Sequence, residues 1–297
     1  MLNIIPKRKI WFSFSAGLMV LAVLFLSLWG LNFGIDFVGG SSMEVRFAKQ
    51  APAATEVKEA LSDINLDSLI IQPTSGQEMI LKFKNTDEEI HQSVLGELKN
   101  LNPEKYGSVT ELQFNSVGPA IGNSLKKKSF YAVILVILAI IAYIAWAFRK
   151  VSKPIASWKY GITAVITLVH DCLVVLGVFA VLGQFYGVEI TGAFIAAILT
   201  VLGYSVNDTI VIFDRIRENL PRSEEDFAGT INTSINQNIT RSINTSLTTM
   251  LVLLAILILG GGSIFSFVLA LLIGVFIGTY SSIFLASPML VLWEKRS

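Results

Sequence analysis

Residues 190–212 read ITGAFIAAILTVLGYSVNDTIVI, a long apolar run that holds Asn207 and Asp208 near its end. A helix needs about 20 apolar residues to cross the hydrocarbon core of a bilayer, so this run predicts a membrane span. A charged residue at the centre of such a span costs roughly 2.5–3.5 kcal/mol on insertion scales. We therefore expect Asp208 to face the inside of a helix bundle, where it either carries protons or makes a static interhelical hydrogen bond.

The composition extends this prediction to the whole chain. Of its 297 residues, 53% are hydrophobic and 15% are charged, and the mean hydropathy is +0.63. An average soluble domain carries roughly 25% charged residues. The formal net charge of +1 gives no reason to expect a nucleic-acid partner. A single cysteine, Cys172, cannot form an internal disulfide.

Five more apolar segments raise the predicted number of spans to six. The first, 11–31, follows a basic run as a signal peptide does. It exceeds the usual apolar core of about 7–15 residues and lacks a cleavage site, so we interpret it as an uncleaved anchor. The other predicted spans are 130–148, 162–182, 242–259 and 264–292, the last of them tilted or kinked near Pro288.

The distribution of basic residues predicts the orientation, because cytoplasmic loops carry an excess of Lys and Arg. Such residues precede the first span, separate the second from the third and the fourth from the fifth, and end the chain: Lys7, Arg8, Lys9, Arg149, Lys150, Lys153, Lys159, Arg215, Arg217, Arg222, Arg241, Lys295 and Arg296. Both termini are therefore predicted to be cytoplasmic. The run 126–128 is basic and falls outside, but it closes a segment of about 100 residues, and segments of that length escape the charge rule.

The segment 32–129 has the composition of a soluble domain and alternates between strand and helix patterns. Strands are predicted at 42–48, 68–73, 78–84 and 108–117, with a turn at Ser75–Gly76, and helices at 53–64 and 86–101. Thr86 and Glu89 are spaced as a capping box, and His91 is predicted to be a solvated surface residue. The order β-α-β-β-α-β is the ferredoxin-like arrangement, which hosts many functions.

The predicted fold class is thus a polytopic α-helical membrane protein with one α+β extracytoplasmic domain. The cytoplasmic N-terminus and first span occupy 1–31, and the ferredoxin-like domain occupies 32–129. Five further helices and a cytoplasmic C-terminus occupy 130–297.

Local motifs indicate a family. GIDFVGG at 34–40 follows the first span, GYSVNDTIVIFDR at 203–215 ends the fourth, TRSINTS at 240–246 opens the fifth, and GTYSS at 278–282 lies in the sixth. Over essentially the whole chain these motifs resemble those of the SecD/SecF family of protein-export membrane proteins. The Ile35-Asp36-Phe37 version of the glycine motif is similar to that of SecF, whereas SecD usually shows a Leu-Arg version.

This resemblance implies a function. SecF pairs with SecD in a pseudo-symmetric helix bundle of the bacterial inner membrane, related to the RND transporters. The pair associates with the SecYEG channel, often with YajC, and uses the proton gradient to help the translocating preprotein move outward after the ATP-driven step of SecA. The resemblance implies no cofactor, and it implies an acid at the position of Asp208 that carries protons and an essential arginine at the position of Arg241.

The residues themselves suggest how such a site would work. A carboxylate balanced between desolvation and a nearby cation can load and release a proton, and Arg241, at the start of the fifth span, is the natural counter-charge to Asp208. Arg241 could equally be an ordinary positive-inside anchor. His170 and Asp171 are adjacent in the third span and should point about 100° apart. They are expected either to join the relay or to form a structural hydrogen-bond pair.

Small residues have separate expected roles. Gly34, Gly39 and Gly40, with Asp36 between them, permit unusual backbone conformations and are expected to join the first span to the outer domain. Gly118–Pro119 and Gly122 are expected to form the opposite hinge, or simply turns. A stripe of small residues along the sixth span is expected to serve helix packing: Gly274, Gly278, Ser282 and Ala286.

Competing functions remain at this stage. An intramembrane aspartyl protease would also place two acids, here Asp171 and Asp208, on neighbouring spans, but its Gly-x-Gly-Asp motif is absent. A half-size RND-like exporter of small molecules or lipids would use the same proton chemistry, and a purely structural Sec subunit would need no polar interior. No Walker motif, metal-ligand cluster or nucleophile elbow occurs in the chain, so we expect neither enzymatic activity nor a bound metal.

Overall fold

The computed structural model describes residues 2–74, 76–149 and 155–294. The predicted turn residue Ser75 and the cytoplasmic markers Lys150, Lys153, Lys295 and Arg296 lie outside this part of the chain. The chain forms two compact units: Met1–Asn32 together with Ser129–Ser297, and Phe33–Lys128. Each unit has its own core.

Six helices in the described ranges are long and apolar enough to cross a membrane, which confirms the predicted number. They are α1 (Arg8–Trp29), α6 (Pro119–Ala147), α7 (Ser157–Tyr186), α8 (Gly192–Asn219), α9 (Phe227–Leu259) and a last span, Phe265–Glu294. The last span comprises α10 (Phe265–Ser281), a π-helical turn (Ser282–Ala286) and α11 (Ser287–Glu294), and a short 3-10 turn (Gly262–Ile264) precedes it. The π-turn lies directly before the predicted irregularity at Pro288.

The smaller unit contains one antiparallel sheet. Its strands are β1 (Gly40–Phe47), β2 (Ile70–Pro73), β3 (Glu78–Phe83) and β4 (Val109–Val117), in the order β2-β3-β1-β4. Its helices are α2 (Ile35–Val38), α3 (Ala54–Ala60), α4 (Glu88–Asn100) and α5 (Pro103–Tyr106), of which α2 and α5 were not predicted. The ferredoxin-like arrangement stays a prediction.

Alternation along β1 explains the core of this unit. Met43, Val45 and Phe47 are fully buried, whereas Arg46 between the last two is exposed. Successive strand side chains point to opposite faces, so one face of β1 packs against buried side chains of α3 and α4 such as Val57.

Two local predictions in this unit are wrong. Helix α4 begins after Asp87 rather than Thr86, without a side-chain cap, so the expected capping box does not form. His91 is 7% exposed instead of solvated. Its ring stacks on Phe114 with centroids 3.7 Å apart, and its two nitrogens lie 3.0 Å from Glu88 and 3.2 Å from Glu111.

In the helical unit, small residues allow close helix contacts. A Cβ atom on Gly278 would lie 2.9 Å from Cβ of Ser205, and one on Gly274 would overlap Val201. Without these side chains α10 lies directly against α8, as small-residue stripes permit. The packing role predicted for the two glycines agrees with these contacts.

The N-terminal segment is fixed to the first turns of α9. Asn232 accepts hydrogen bonds from the amides of Ile4 and Ile5 at 3.0 and 3.2 Å, and its own amide donates to the Leu2 carbonyl at 3.1 Å. Asn236 bonds both backbone groups of Leu2 at 2.7 and 2.9 Å. Ile4 and Ile5 are each 2% exposed, so this segment belongs to the helical core.

Candidate functional site

Asp171 is the most completely enclosed acid of the helical unit. It lies on α7 and is 0% exposed. One carboxylate oxygen accepts from Ser205 Oγ of α8 at 2.6 Å and from Ser281 Oγ of α10 at 2.8 Å. The other oxygen lies 3.0 Å from His170 Nδ1. The carboxylate therefore joins α7, α8 and α10, and its hydrogen bonds satisfy the rule that buried polar groups are paired.

His170 and Asp171 contact each other although they are neighbours in sequence. Their Cα–Cβ bonds do point about 100° apart around the helix, but the side chains turn towards each other. When Asp171 is ionised its carboxylate can only accept, so Nδ1 of His170 then carries the proton of this pair. The remaining nitrogen, Nε2, is buried without a hydrogen-bond partner in the described part of the chain. The ring lies 6.5 Å from that of Tyr280.

Asp208 is held much less firmly. It lies on α8 and is 8% exposed. Its one hydrogen bond within the described chain comes from Ser282 Oγ, at 3.3 Å. Ser242 on α9 lies within electrostatic reach, but its buried hydroxyl makes no hydrogen bond of good geometry. Asp208 is therefore the acid whose surroundings can change at small cost.

Arg241 acts on Asp208 through space. Its positive charge attracts the carboxylate, yet within the described residues the two form neither a hydrogen bond nor an ion pair closer than 4 Å. The Arg241 side chain is exposed, and so is Asn207, which lies next to Asp208 on α8. Of the five predicted coupling residues, the structure thus brings His170 and Asp171 into contact. It places Asp208 where the charge of Arg241 acts on it without a direct contact. Asn207 lies on an exposed face.

Helix α9 is continuous from the polar segment into the apolar one. Apolar residues recur at every fourth position along α9: Ile231, Ile235, Ile239, Ile243 and Leu247. Ile231 and Ile235 are 0% exposed, but Ile243 is 47% exposed. Four residues advance about 400° around an α-helix, about 40° more than one full turn, so a repeat of four rotates out of the core along the helix. Ser242 and Ser246 lie inside there instead, each 1% exposed.

The serines of this site were not predicted. Ser205 and Asp208 are three residues apart on α8, a spacing that places both on one helix face. Ser281 and Ser282 were identified from the sequence as part of a family motif, and Ser282 also as a packing residue, but neither was predicted to contact the acids. Ser246 Oγ lies 2.5 Å from Thr279 Oγ1, which extends the polar interior to α9. The signal available in the sequence was the concentration of hydroxyl residues in spans that also contain acids.

The glycine motif lies in the other unit and has a backbone role. Gly39 and Gly40 have φ angles of 83° and 124°, which side chains rarely allow. A Cβ atom on Gly40 would lie 2.8 Å from the Phe83 carbonyl oxygen. Gly34, with φ of −73°, has no such requirement, and Asp36 lies in the first turn of α2.

The described residues contain no group of three or more His, Cys, Asp or Glu side chains able to hold a metal ion.

Comparison with protein families gives two matches. The family described as "Protein export membrane protein SecD/SecF, C-terminal" matches residues 97–296. The family described as "SecD/SecF GG Motif" matches residues 30–51.

Curated relatives match over most of their length. The protein translocase subunit SecF of Thermobaculum terrenum is 43% identical, with 100% of this chain and 95% of the relative covered. The SecF subunit of Anaerolinea thermophila is 39% identical, with 99% and 95% covered. That of Haemophilus influenzae is 36% identical, with 94% and 82% covered.

Solved structures are similar to almost all of this chain. One of them is the crystal structure of SecDF, a translocon-associated membrane protein from Thermus thermophilus, with a TM-score of 0.83 and 32% sequence identity. The match covers 99% of this chain but 39% of the solved one. This chain therefore spans less than half of that longer polypeptide.

Proposed function

This chain belongs to the SecD/SecF family of protein-export membrane proteins, and on that premise we propose that it is the SecF subunit of a bacterial protein translocase. Two relatives that carry this name are 43% and 36% identical to it and match 100% and 94% of its length. Its six apolar helices suit a multi-pass protein of the inner membrane. We propose no catalytic activity for it.

The first partner in this proposal is SecD. The solved SecDF chain extends well beyond the 39% that this chain matches, which supports a SecD-like part as the complement. Exposed polar side chains on spanning helices, Asn207 and Arg241 among them, support a protein partner at those positions, because polar groups are costly in lipid. Association with SecYEG, YajC and, functionally, SecA belongs to the same proposal, with the translocating preprotein as cargo.

We propose that the complex draws on the proton gradient through Asp208. The observation that carries this proposal is the contrast between the two membrane acids. Within the described residues, Asp171 has three partners at 3.0 Å or less, whereas Asp208 has one hydrogen bond at 3.3 Å, a nearby Ser242 hydroxyl and the attraction of Arg241, which forms no ion pair there. A carboxylate that is weakly held in a partly polar interior can gain and lose a proton without breaking the bundle.

The remaining predicted residues have supporting roles in this scheme. Arg241 supplies the counter-charge, Asn207 lies beside the acid, and the Asp171–His170 pair forms the inner part of the path. One charge that crosses 100 mV releases about 2.3 kcal/mol. A few protons in each cycle would therefore bias an outer-domain movement against backsliding of the exported chain.

The outer domain and topology complete the proposal. We propose that residues 32–129 form a ferredoxin-like domain on the extracytoplasmic side and that both termini are cytoplasmic. The antiparallel strand order β2-β3-β1-β4 supports that fold. Gly39 and Gly40, with the close backbone contacts of Gly40, support a joint in the segment 34–40.

The test is Asp208→Asn in membrane vesicles that contain the assembled complex. We expect preprotein export to lose its stimulation by an imposed proton gradient, while assembly with SecD and the ATP-driven phase persist. The matched control is Asp214→Asn on the same helix, because Asp214 forms an exposed ion pair with Arg217 at 2.5 Å. Unchanged stimulation in Asp208→Asn would show that the acid only holds helices together. A parallel sodium gradient identifies the coupled cation.

A further inference from the structure

Two adjacent serines connect the two membrane acids. Ser281 Oγ donates to Asp171 on α7 at 2.8 Å, and Ser282 Oγ donates to Asp208 on α8 at 3.3 Å. Both hydroxyls come from consecutive residues of one helix, so a rotation or shift of that short segment changes both contacts together.

Each of these hydroxyls has a second acceptor on its own helix. Ser282 Oγ lies 3.0 Å from the carbonyl oxygen of Thr279, closer than Asp208. Ser281 Oγ lies 3.1 Å from the carbonyl oxygen of Gly278, farther than Asp171. A hydroxyl has one hydrogen to donate. The Ser281 hydroxyl therefore donates mainly to Asp171, whereas the Ser282 hydroxyl is shared between Asp208 and the Thr279 carbonyl.

The helix changes its hydrogen-bond pattern at these residues. The π-turn Ser282–Ala286 starts at the second serine, and Ser287 Oγ donates to the Ser282 carbonyl at 3.0 Å. Pro288 follows and has no backbone N–H to donate. Single π-turns occur frequently at functional sites, and they mark a place where a helix can change register locally.

We propose that Ser281 and Ser282 are positioning residues that couple the two acids. When Asp208 gains a proton, Ser282 turns to the Thr279 carbonyl, and the helix shifts where α10 meets the π-turn, which changes the contact between the adjacent Ser281 and Asp171. The inference rests on the proposed role of Asp208 as the proton-loading acid. The serines do not carry the proton.

The charged and titratable surroundings of Asp208 are limited. Arg241 of α9 is the charged group that acts on Asp208 within the described chain. The elements packed against α8 carry these further titratable groups: Lys159, Tyr160, His170, Asp171, Cys172 and Tyr186 of α7, Tyr280 of α10, whose hydroxyl bonds Ser15, and Glu294 of α11. Asp214 lies on α8 itself, in its ion pair with Arg217.

The experiment measures the protonation of Asp208 directly. A hydrophobic carbodiimide modifies carboxyl groups in their protonated form, and mass spectrometry locates the modified residue. The full chain, assembled with its SecD partner in membrane vesicles, is labelled across a pH series. The variants are Ser282→Ala, Ser282→Thr and Ser281→Ala. The control is Thr167→Val, because the buried Thr167 hydroxyl bonds only carbonyls of its own helix.

We expect the labelling midpoint of Asp208 to rise by about one pH unit in Ser282→Ala, because a lost donor no longer stabilises the charged carboxylate. Ser282→Thr keeps the hydroxyl and restores the midpoint. Ser281→Ala is decisive, since its hydroxyl touches Asp171 and not Asp208. We expect Ser281→Ala to shift the labelling midpoint of Asp208 measurably. We expect Thr167→Val to leave that midpoint unchanged.

Three results would overturn the inference. They are an unshifted labelling midpoint of Asp208 in Ser282→Ala, a midpoint that Ser282→Thr does not restore, and a midpoint in Ser281→Ala equal to that of the wild-type protein. Failure of the proposed function looks different. In that case Asp208→Asn retains gradient-stimulated export, whether or not the serine variants shift the labelling midpoint. If Ser282→Ala does not assemble, Ser281→Ala still tests the coupling.

Discussion

Replacing Asp171 by Leu and by Asn distinguishes a structural role of this carboxylate from a role in ion coupling. In Asp171→Leu, Ser281 can turn to the Gly278 carbonyl, but Ser205 Oγ and His170 Nδ1 keep no acceptor in the described chain. A buried donor without a partner costs about 1–3 kcal/mol. Two such donors predict a loss of about 2–6 kcal/mol in the free energy of unfolding. In Asp171→Asn, the amide oxygen keeps both serine donors, and the NH₂ group can donate to His170 Nδ1 once the imidazole proton moves to Nε2, so we expect a smaller loss of about 1 kcal/mol.

The assay uses the only cysteine of the chain, Cys172, which is partly buried beside the acid. A thiol-reactive fluorophore labels it as the purified complex unfolds on heating. For a unit of this size, about 1 kcal/mol shifts the midpoint by about 2–4 °C, so Asp171→Leu should lower it by roughly 4–24 °C. Equal midpoints for the Leu and Asn variants would refute the reasoning from hydrogen bonds.

The Asn variant then tests function without loss of the fold. Asp171→Asn removes the negative charge that faces His170 but retains the contacts to Ser205 and Ser281. If the pair belongs to the ion path, we expect gradient-stimulated export to fall in this variant while thermal stability is kept. Full stimulation in Asp171→Asn would assign the pair a structural role only.

Three further predictions follow from the contacts. Gly278→Ala should destabilise the helical unit by about 1–3 kcal/mol in thermal unfolding, because its Cβ would lie 2.9 Å from Ser205, whereas Gly203→Ala, with no atom within 4 Å, should not. The pKa of Glu56 is held below its ordinary 4.5, first by the Tyr106 hydroxyl and then by Lys105. The contribution of Glu56 to stability is therefore present above about pH 4.5 and is lost as the pH falls through the lower folded-state pKa. Hydrogen exchange of α3 should become faster over that pH range. Glu56→Gln should abolish this pH dependence of the exchange. Asn232→Ala and Asn236→Ala should each speed amide exchange in residues 2–5, because the two side chains bond that backbone directly. Asn244→Ala, at an exposed position of the same helix, is the control. Unchanged exchange in the first two variants would show that these side chains do not fix the N-terminal segment.

The fold was predictable where one strong pattern acted alone. Long apolar runs and period-two alternation gave six spans and four strands, since both follow from burial of apolar surface. Local errors arose where tertiary contacts decided. His91 lies three and four residues before Val94 and Leu95, on the buried face of α4, and the aromatic ring of Phe114 covers it. A polar residue on an apolar helix face was misassigned to the surface because the sequence does not show what lies opposite.

The candidate site was predictable in its acids but not in its hydroxyls. A carboxylate in an apolar span is unusual enough to be recognised from sequence, and Asp171 and Asp208 both proved to be buried. Serines are common and inexpensive in membrane helices, so nothing distinguished Ser205, Ser281 and Ser282 before the helices were packed. The glycine spacing that lets α10 approach α8 was visible, but its consequence, two hydroxyls placed on two acids, depends on three-dimensional contacts.

The two acids also differ in how far this chain alone accounts for their surroundings. All three partners of Asp171 come from this chain, on α7, α8 and α10, and they leave it 0% exposed. Asp208 remains 8% exposed, its neighbour Asn207 is exposed, and the arginine that attracts it is exposed and unpaired within the described residues. Polar groups on spanning helices require protein or water around them. The environment of Asp171 is therefore complete within this chain, whereas Asp208 borders exposed polar side chains that a partner subunit would cover under the proposed function.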